Sequence, residues 1–157
     1  MLLTTSWVWI PLYLVLILYI LRRYPRRAAF TIIAFAIVCV LCTAGVNELL
    51  VKPLVARPRP LFSADLQGLL RLVDGFRPSG YSFFSSHAAN TSTLAVFLIL
   101  VLRRWWIMVI LVAYSLINCY TRLYLGAHYP SDILIGLSAG IFVAVNVYSF
   151  GKKKYFP

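Results

Sequence analysis

His87 and His128 are the only histidines of the chain, and each stands where a long apolar segment meets polar residues. His128 has Arg122 before it and Asp132 after it, within Thr121-Arg-Leu-Tyr-Leu-Gly-Ala-His128-Tyr-Pro-Ser-Asp132. His87 closes Ser85-Ser86-His87 at the head of another apolar run. A third cluster, Lys52-Pro-Leu-Val-Ala-Arg57-Pro-Arg59-Pro60, follows a third such run. An imidazole can attack phosphorus or move a proton, and lysine and arginine can hold phosphate oxygens. Those are the groups needed for phosphoryl transfer at a membrane surface.

Spacing sharpens the roles. At i,i+4 on a helix, His128 and Asp132 would share a face. Asp132 would then accept the Nδ1–H of His128, set its tautomer and leave Nε2 to attack. Pro130 suits a first helical turn, where a carboxylate also complements the helix dipole. Arg122 supplies a planar fork for two phosphate oxygens. The bland alternative is a polar helix cap with an arginine nearby. In the Lys52 cluster the prolines are expected to stop the preceding helix and hold the chain extended. Lys52 and one arginine can then clamp a phosphate, with Arg57 and Arg59 in competition for that part. An interfacial anchor is the rival reading of this cluster, and Glu48, one turn earlier, reads as the structural partner of Lys52. Before His87, Ser85 and Ser86 either donate hydroxyls to a phosphate at the anion-binding helix N-terminus or simply cap the helix. Arg77-Pro78-Ser79-Gly80-Tyr81 imitates a phosphate loop. It has Tyr81 where a histidine is needed, and no apolar helix follows at once.

Long uncharged blocks must position these clusters. The 157 residues are 62% hydrophobic, with mean hydropathy +0.86, against roughly 45–50% apolar content in soluble domains. So much apolar surface in so short a chain belongs in a bilayer. The expected fold is all-α: a polytopic transmembrane helical bundle, one domain over residues 1–157. Five spans are read at Ser6–Leu21, Ala28–Val51, His87–Leu102, Trp105–Tyr120 and Ser131–Phe150. The third and fourth are short, and Arg103-Arg104-Trp105-Trp106 between them suits snorkelling and headgroup anchoring. The first segment lacks the basic n-region and small-residue cleavage site of a signal peptide.

Net charge is +11, and nine of the 15 Lys and Arg fall in three patches: Arg22–Arg27, Arg103–Arg104 and Lys152–Lys154. These flank apolar runs as cytoplasmic loops do, and contact with anionic lipid headgroups is sufficient further use. Nucleic acid is not an expected partner. With the patches inside, the Lys52–Ser86 loop and the Tyr120–Pro130 connection both face outward. All three chemical clusters then meet at the non-cytoplasmic face. Leu66–Val73, in the long loop, reads as a short interfacial helix or as filler. Cys39, Cys42 and Cys119 lie inside apolar blocks without zinc-site spacing. Glu48, Asp65, Asp74 and Asp132 are too scattered for a two-metal phosphatase, so no metal and no cofactor is expected.

Together the clusters resemble the type 2 phosphatidic acid phosphatase family, also called the lipid phosphate phosphatase and vanadium haloperoxidase superfamily. Its first motif, Lys-x6-Arg-Pro, is matched by Lys52, Arg59 and Pro60, which selects Arg59 over Arg57. Its second, Pro-Ser-Gly-His, is matched in serine and histidine by Phe84-Ser85-Ser86-His87. Its third, Ser-Arg-x5-His-x3-Asp, is matched by Thr121, Arg122, His128 and Asp132, with threonine for serine. Membrane members usually have six spans and carry the first motif after the third. Here it follows the second, so an N-terminal segment is expected to be missing or to lie upstream of Met1.

The resemblance implies a metal-free phosphatase. His128 would be the nucleophile, Asp132 its orienting group and His87 the acid and then the base. Lys52, Arg59, Ser85, Ser86 and Arg122 would bind the substrate phosphate. A lipid phosphate or diphosphate is the implied substrate. Undecaprenyl diphosphate comes first, with phosphatidylglycerophosphate, phosphatidate and lipid A as alternatives. The implied setting is a bacterial inner membrane with the site facing the periplasm or exterior. Five spans argue against a soluble haloperoxidase, and the histidine pair argues against a non-enzymatic lipid-binding or transport subunit, which would need only the cations.

Overall fold

The computed structural model describes residues 6–66 and 76–156. A 3-10 turn, Ser6–Trp9, leads into α1 (Ile10–Arg23), and only Tyr24 and Pro25 separate this helix from α2 (Arg26–Val46). The helical path continues through a π-helical turn, Asn47–Val51, into the single-turn α3 (Lys52–Val55). Short 3-10 turns follow at Pro60–Phe62 and Ala64–Leu66; then come α4 (Ser86–Leu102), α5 (Trp105–Tyr124) and α6 (Pro130–Gly151). The fold is an all-helical transmembrane bundle, and the five long apolar segments of the sequence correspond to α1, α2, α4, α5 and α6. The stretch from Arg26 to Phe62, together with α5 and α6, is long and apolar enough to cross a bilayer, while α4 is a shorter apolar helix. Of the interfacial-helix candidate Leu66–Val73, all but Leu66 lies outside the described residues.

One expectation needs correction. Pro53 does not stop the second helix, which winds on to Val55. Proline inside a helix loses one hydrogen bond and presses on the carbonyl four residues earlier. The wider π turn immediately before it relieves that crowding. The break comes instead at Ala56, in left-handed conformation with φ +47°, whose N–H still reaches the Lys52 carbonyl.

Tight connections between α1 and α2, between α4 and α5, and between α5 and α6 make those neighbours antiparallel. The three basic patches therefore gather at one end of the bundle and the three motifs at the other. Central position falls to α4, which packs against α2, α5 and α6 and buries ten of its residues. The α4–α6 contact is built on small residues, as expected where lipid gives helices no hydrophobic reason to associate. A Cβ on Gly136 would lie 2.7 Å from the Ser85 carbonyl, and one on Gly140 would collide with Ser92 and the Ala89 carbonyl. Thr93 Oγ1 and Ser92 Oγ donate across the gap to the Gly140 and Leu137 carbonyls at 3.2 and 3.3 Å. This close approach brings the N-termini of α4 and α6 side by side. At the far end the C-terminal Phe156 folds back against Gly151, Phe35, Phe97 and Tyr148.

Candidate active site

Where α3 ends, α4 begins, α5 ends and α6 begins, a cavity of about 290 Å³ brings the three motifs together. Lys52, Arg59, Ser86, His87, Arg122 and His128 all line it. Six of the eight residues singled out from sequence thus share one wall; Ser85 and Asp132 do not.

His128 sits in the loop between α5 and α6, not on the helix that carries Asp132. Its Nδ1 is 2.8 Å from the Ser82 carbonyl, an atom that can only accept, so Nδ1 carries the proton. Nε2 lies 3.3 Å from Arg59 Nη1, which can only donate, so Nε2 presents its lone pair. Both contacts select the same tautomer. The ring is 5% exposed, and its pKa is pushed down to about 4, chiefly by burial and then by the Arg59 charge, with Asp132 and the Ser82 carbonyl opposing.

Asp132 therefore acts at one remove from His128. Its Oδ2 is 3.7 Å from Nδ1. That oxygen accepts the Ser82 hydroxyl in a short contact and the Tyr129 N–H at 3.0 Å, capping α6. Oδ1 accepts from Arg57 at 2.7 Å. The fully buried carboxylate is thus satisfied on both oxygens, and Ser82 stands between it and the imidazole. The i,i+4 spacing brings His128 and Asp132 near each other, but His128 precedes the helix and its ring turns to the loop.

The cations are also held. Arg59 donates from Nε to the Ser79 and Gly80 carbonyls at 3.1 Å each, from Nη2 to Ser79 at 2.7 Å and from Nη1 to Ala127 at 3.0 Å. The stretch that imitates a phosphate loop turns out to do the opposite: it points carbonyls at a cation. Gly80, at φ +69°, supplies the left-handed residue this turn requires. Lys52 is 8% exposed and donates to Glu48 at 2.6 Å; the same carboxylate oxygen accepts the Ser86 hydroxyl at 2.7 Å. Arg122 is buried beside Thr121, whose Oγ1 accepts from its Nε at 3.3 Å. Three cations against one carboxylate leave the cavity positive, as a phosphate dianion requires.

Ser85 takes the capping alternative. Its fully buried hydroxyl accepts the Ala88 N–H at 3.4 Å as the N-cap of α4, and its own N–H donates to the Asp132 carbonyl at 3.1 Å. It is a cap and a joint between α4 and α6. Ser86 takes the cavity-lining part.

Two residues went unread in the sequence, and a third has a part other than the one weighed for it. Ser82 carries the His128 contact and Asp132. Asn47, in the π turn, donates to the Phe84 carbonyl at 2.9 Å and to the Ser86 hydroxyl at 2.6 Å, fixing the turn before His87. Arg57, the rejected clamp, pairs with Asp132 and lies over the Tyr129 ring at 3.8 Å. Asn47 offered a signal, being a polar residue inside an apolar block. Ser82 offered none.

The family model described as the PAP2 superfamily matches residues 30–156. This chain belongs to that superfamily. It is 36% identical over 137 residues to a lipid A 4'-phosphatase of Bacteroides thetaiotaomicron, a match covering 86% of this chain and 60% of the relative. A lipid A 4'-phosphatase of Porphyromonas gingivalis is 29% identical, over 94% of this chain and 62% of its own length. An undecaprenyl-diphosphatase of Sulfolobus acidocaldarius is 32% identical, over 95% and 68%. The chain thus spans about three fifths of the two lipid A 4'-phosphatases. The fold is shared with the crystal structure of a transmembrane PAP2-type phosphatidylglycerolphosphate phosphatase from Bacillus subtilis. Here the TM-score is 0.65 and identity 23%, with 97% of this chain and 73% of that one covered.

Proposed function

We propose that the chain is an integral-membrane lipid phosphatase, with residues 1–157 forming one catalytic domain, and that it works through a phosphohistidine on His128. The observation that carries this reading is the pair of contacts that fixes the His128 tautomer, leaving an unprotonated Nε2 in a cavity lined by three cations. In the first step Nε2 attacks phosphorus and the P–N bond forms as the ester P–O bond breaks. His87 gives its proton to the leaving oxygen. Water then attacks the phosphohistidine, His87 takes the water proton, and the P–N electron pair returns to Nε2. Lys52, Arg59, Arg122 and Ser86 stabilise the equatorial oxygens, while Ser85 serves through the helix N-terminus it caps. Asp132 positions the site through Ser82.

The proposed mechanism uses no metal; among the described residues no three His, Cys, Asp or Glu side chains group as metal ligands. The relatives' names support a lipid phosphate as substrate, with undecaprenyl diphosphate and lipid A the leading members. The basic patches at the opposite end support a cytoplasmic position for that end and a site facing the periplasm or exterior of a bacterial inner membrane. Phosphate release by the purified protein, with undecaprenyl diphosphate and a lipid A phosphate offered in parallel, tests the reading. Release should persist in excess EDTA. Release that stops in EDTA and returns only with added Mg²⁺ or Zn²⁺ would sink the metal-free mechanism.

A further inference from the structure

A second cavity of about 270 Å³ adjoins the first and shares Ser86 and His87 with it. It lies between α1, α2, α4 and α5, with Val40 and Leu94 as apolar walls. Leu94 is two turns along α4 from His87, about 10 Å at ~1.5 Å per residue, so the cavity leads from the histidine toward the bilayer interior. Among the described residues its lining holds no Lys, Arg, Asp or Glu. Apart from His87, the polar groups are neutral, and several have capacity to spare. Trp9 Nε1 and Asn90 Oδ1 are buried without a partner among the described residues. The Tyr13 and Tyr114 hydroxyls lie 2.6 Å apart and share one hydrogen, which leaves the second O–H to donate elsewhere. Asn118 also lines the space, with its Nδ2 given to the Tyr114 carbonyl at 2.9 Å.

Buried polar atoms without partners are uncommon, and two around one cavity, beside a tyrosine pair with a spare O–H, suit a ligand that brings its own hydroxyls. We propose that this cavity is the leaving-group subsite and that it takes an uncharged, hydroxyl-bearing alcohol such as a sugar or glycerol unit. The substrate class is then a phosphate monoester of such a group, in preference to a lipid diphosphate. This rests on the phosphatase reading above. His87 must touch the oxygen it protonates, so whatever that oxygen carries extends past His87, into the space that His87 also lines. When the P–O bond breaks and the P–N bond to His128 forms, the alcohol leaves neutral with the proton of His87. A diphosphate would instead push an anionic phosphate ester into a cavity whose described lining has no Lys or Arg and only His87 able to carry positive charge, a poor exchange for water. The cations all line the other cavity.

The test compares kcat/KM for a lipid-anchored sugar phosphate monoester with that for undecaprenyl diphosphate, using the 157-residue protein in detergent. Wild type should favour the monoester. Trp9→Phe keeps a ring against Tyr114 but removes the N–H, and Asn90→Leu removes the amide. Each should lower the monoester-to-diphosphate ratio by roughly three- to tenfold, the scale of one lost hydrogen bond. Both substrates meet the same active molecules, so the ratio is insensitive to a variant that folds poorly, and either variant suffices. A wild type that favours the diphosphate, or a ratio unchanged in the variants, would overturn the proposal. Turnover of neither substrate by wild type would remove the phosphatase reading, and this one with it.

Discussion

The surroundings of the two histidines differ sharply. His128 is buried, with both ring nitrogens engaged and its supporting shell satisfied atom by atom: Ser82, Asp132, Arg57 and the Tyr129 N–H. His87 stands exposed at the start of α4, and no hydrogen bond holds its ring among the described residues. The difference suits the two proposed roles: a nucleophile gains from a fixed tautomer and direction, whereas a group that serves first the leaving oxygen and then a water must reach two positions. Rigidity is spent on one histidine and withheld from the other.

The largest expected effect comes from the rigid side. His128→Ala should lower turnover by on the order of 10⁴- to 10⁶-fold, as loss of a nucleophile does elsewhere, in an assay of phosphate release. His87→Ala should lose roughly 10²- to 10⁴-fold with a monoester, the worth of a general acid. It should lose far less with a diphosphate, whose leaving group is already acidic. The same variant should accumulate phosphohistidine, because water then lacks its base. Equal losses on both substrates, without accumulation, would assign His87 to binding only.

Asp132→Asn measures how indirect the support of His128 is. A carboxylate that directly orients a catalytic histidine is worth about 10⁴-fold. Since the Ser82 carbonyl takes the Nδ1–H here, the loss should be nearer the 10- to 100-fold of outer-shell partners. A 10⁴-fold drop in kcat would restore the direct contact that the sequence spacing suggests.

That spacing illustrates what a sequence can and cannot carry. Lys52, Arg59, Ser86, His87, Arg122 and His128 were legible because each motif is local, and their convergence followed from alternating helices with basic loops on one side. Ser82 and the pairing of Arg57 were not legible, because their contacts with Asp132 join residues far apart in the chain through a loop with no periodic pattern. Sequence alone leaves Ser85 open between a cap and a phosphate donor, since both roles have the same residue preference. Pro53 was misread because a π turn, invisible in composition, lets the helix pass it.

The smallest effect is in pH. On the proposed mechanism His128 must be neutral to attack, and its pKa is pushed down to about 4. Protonation, favoured as pH falls, removes the Nε2 lone pair. The acid limb of kcat/KM due to His128 should therefore lie near pH 4, well below the ordinary histidine value of ~6.5, after correction for the substrate's own ionisation near pH ~6. A limb that stays at 6.5 after that correction would mean the ring is less buried in solution.

The decisive measurement is rapid-quench trapping with ³²P-labelled substrate, followed by mapping of the label and NMR of the phosphohistidine isomer. Acid-labile phosphate on Nε2 of His128, accumulating in His87→Ala and lost in His128→Ala, is the predicted result. Acid-labile label persisting at wild-type level in His128→Ala would contradict it and place the nucleophile elsewhere.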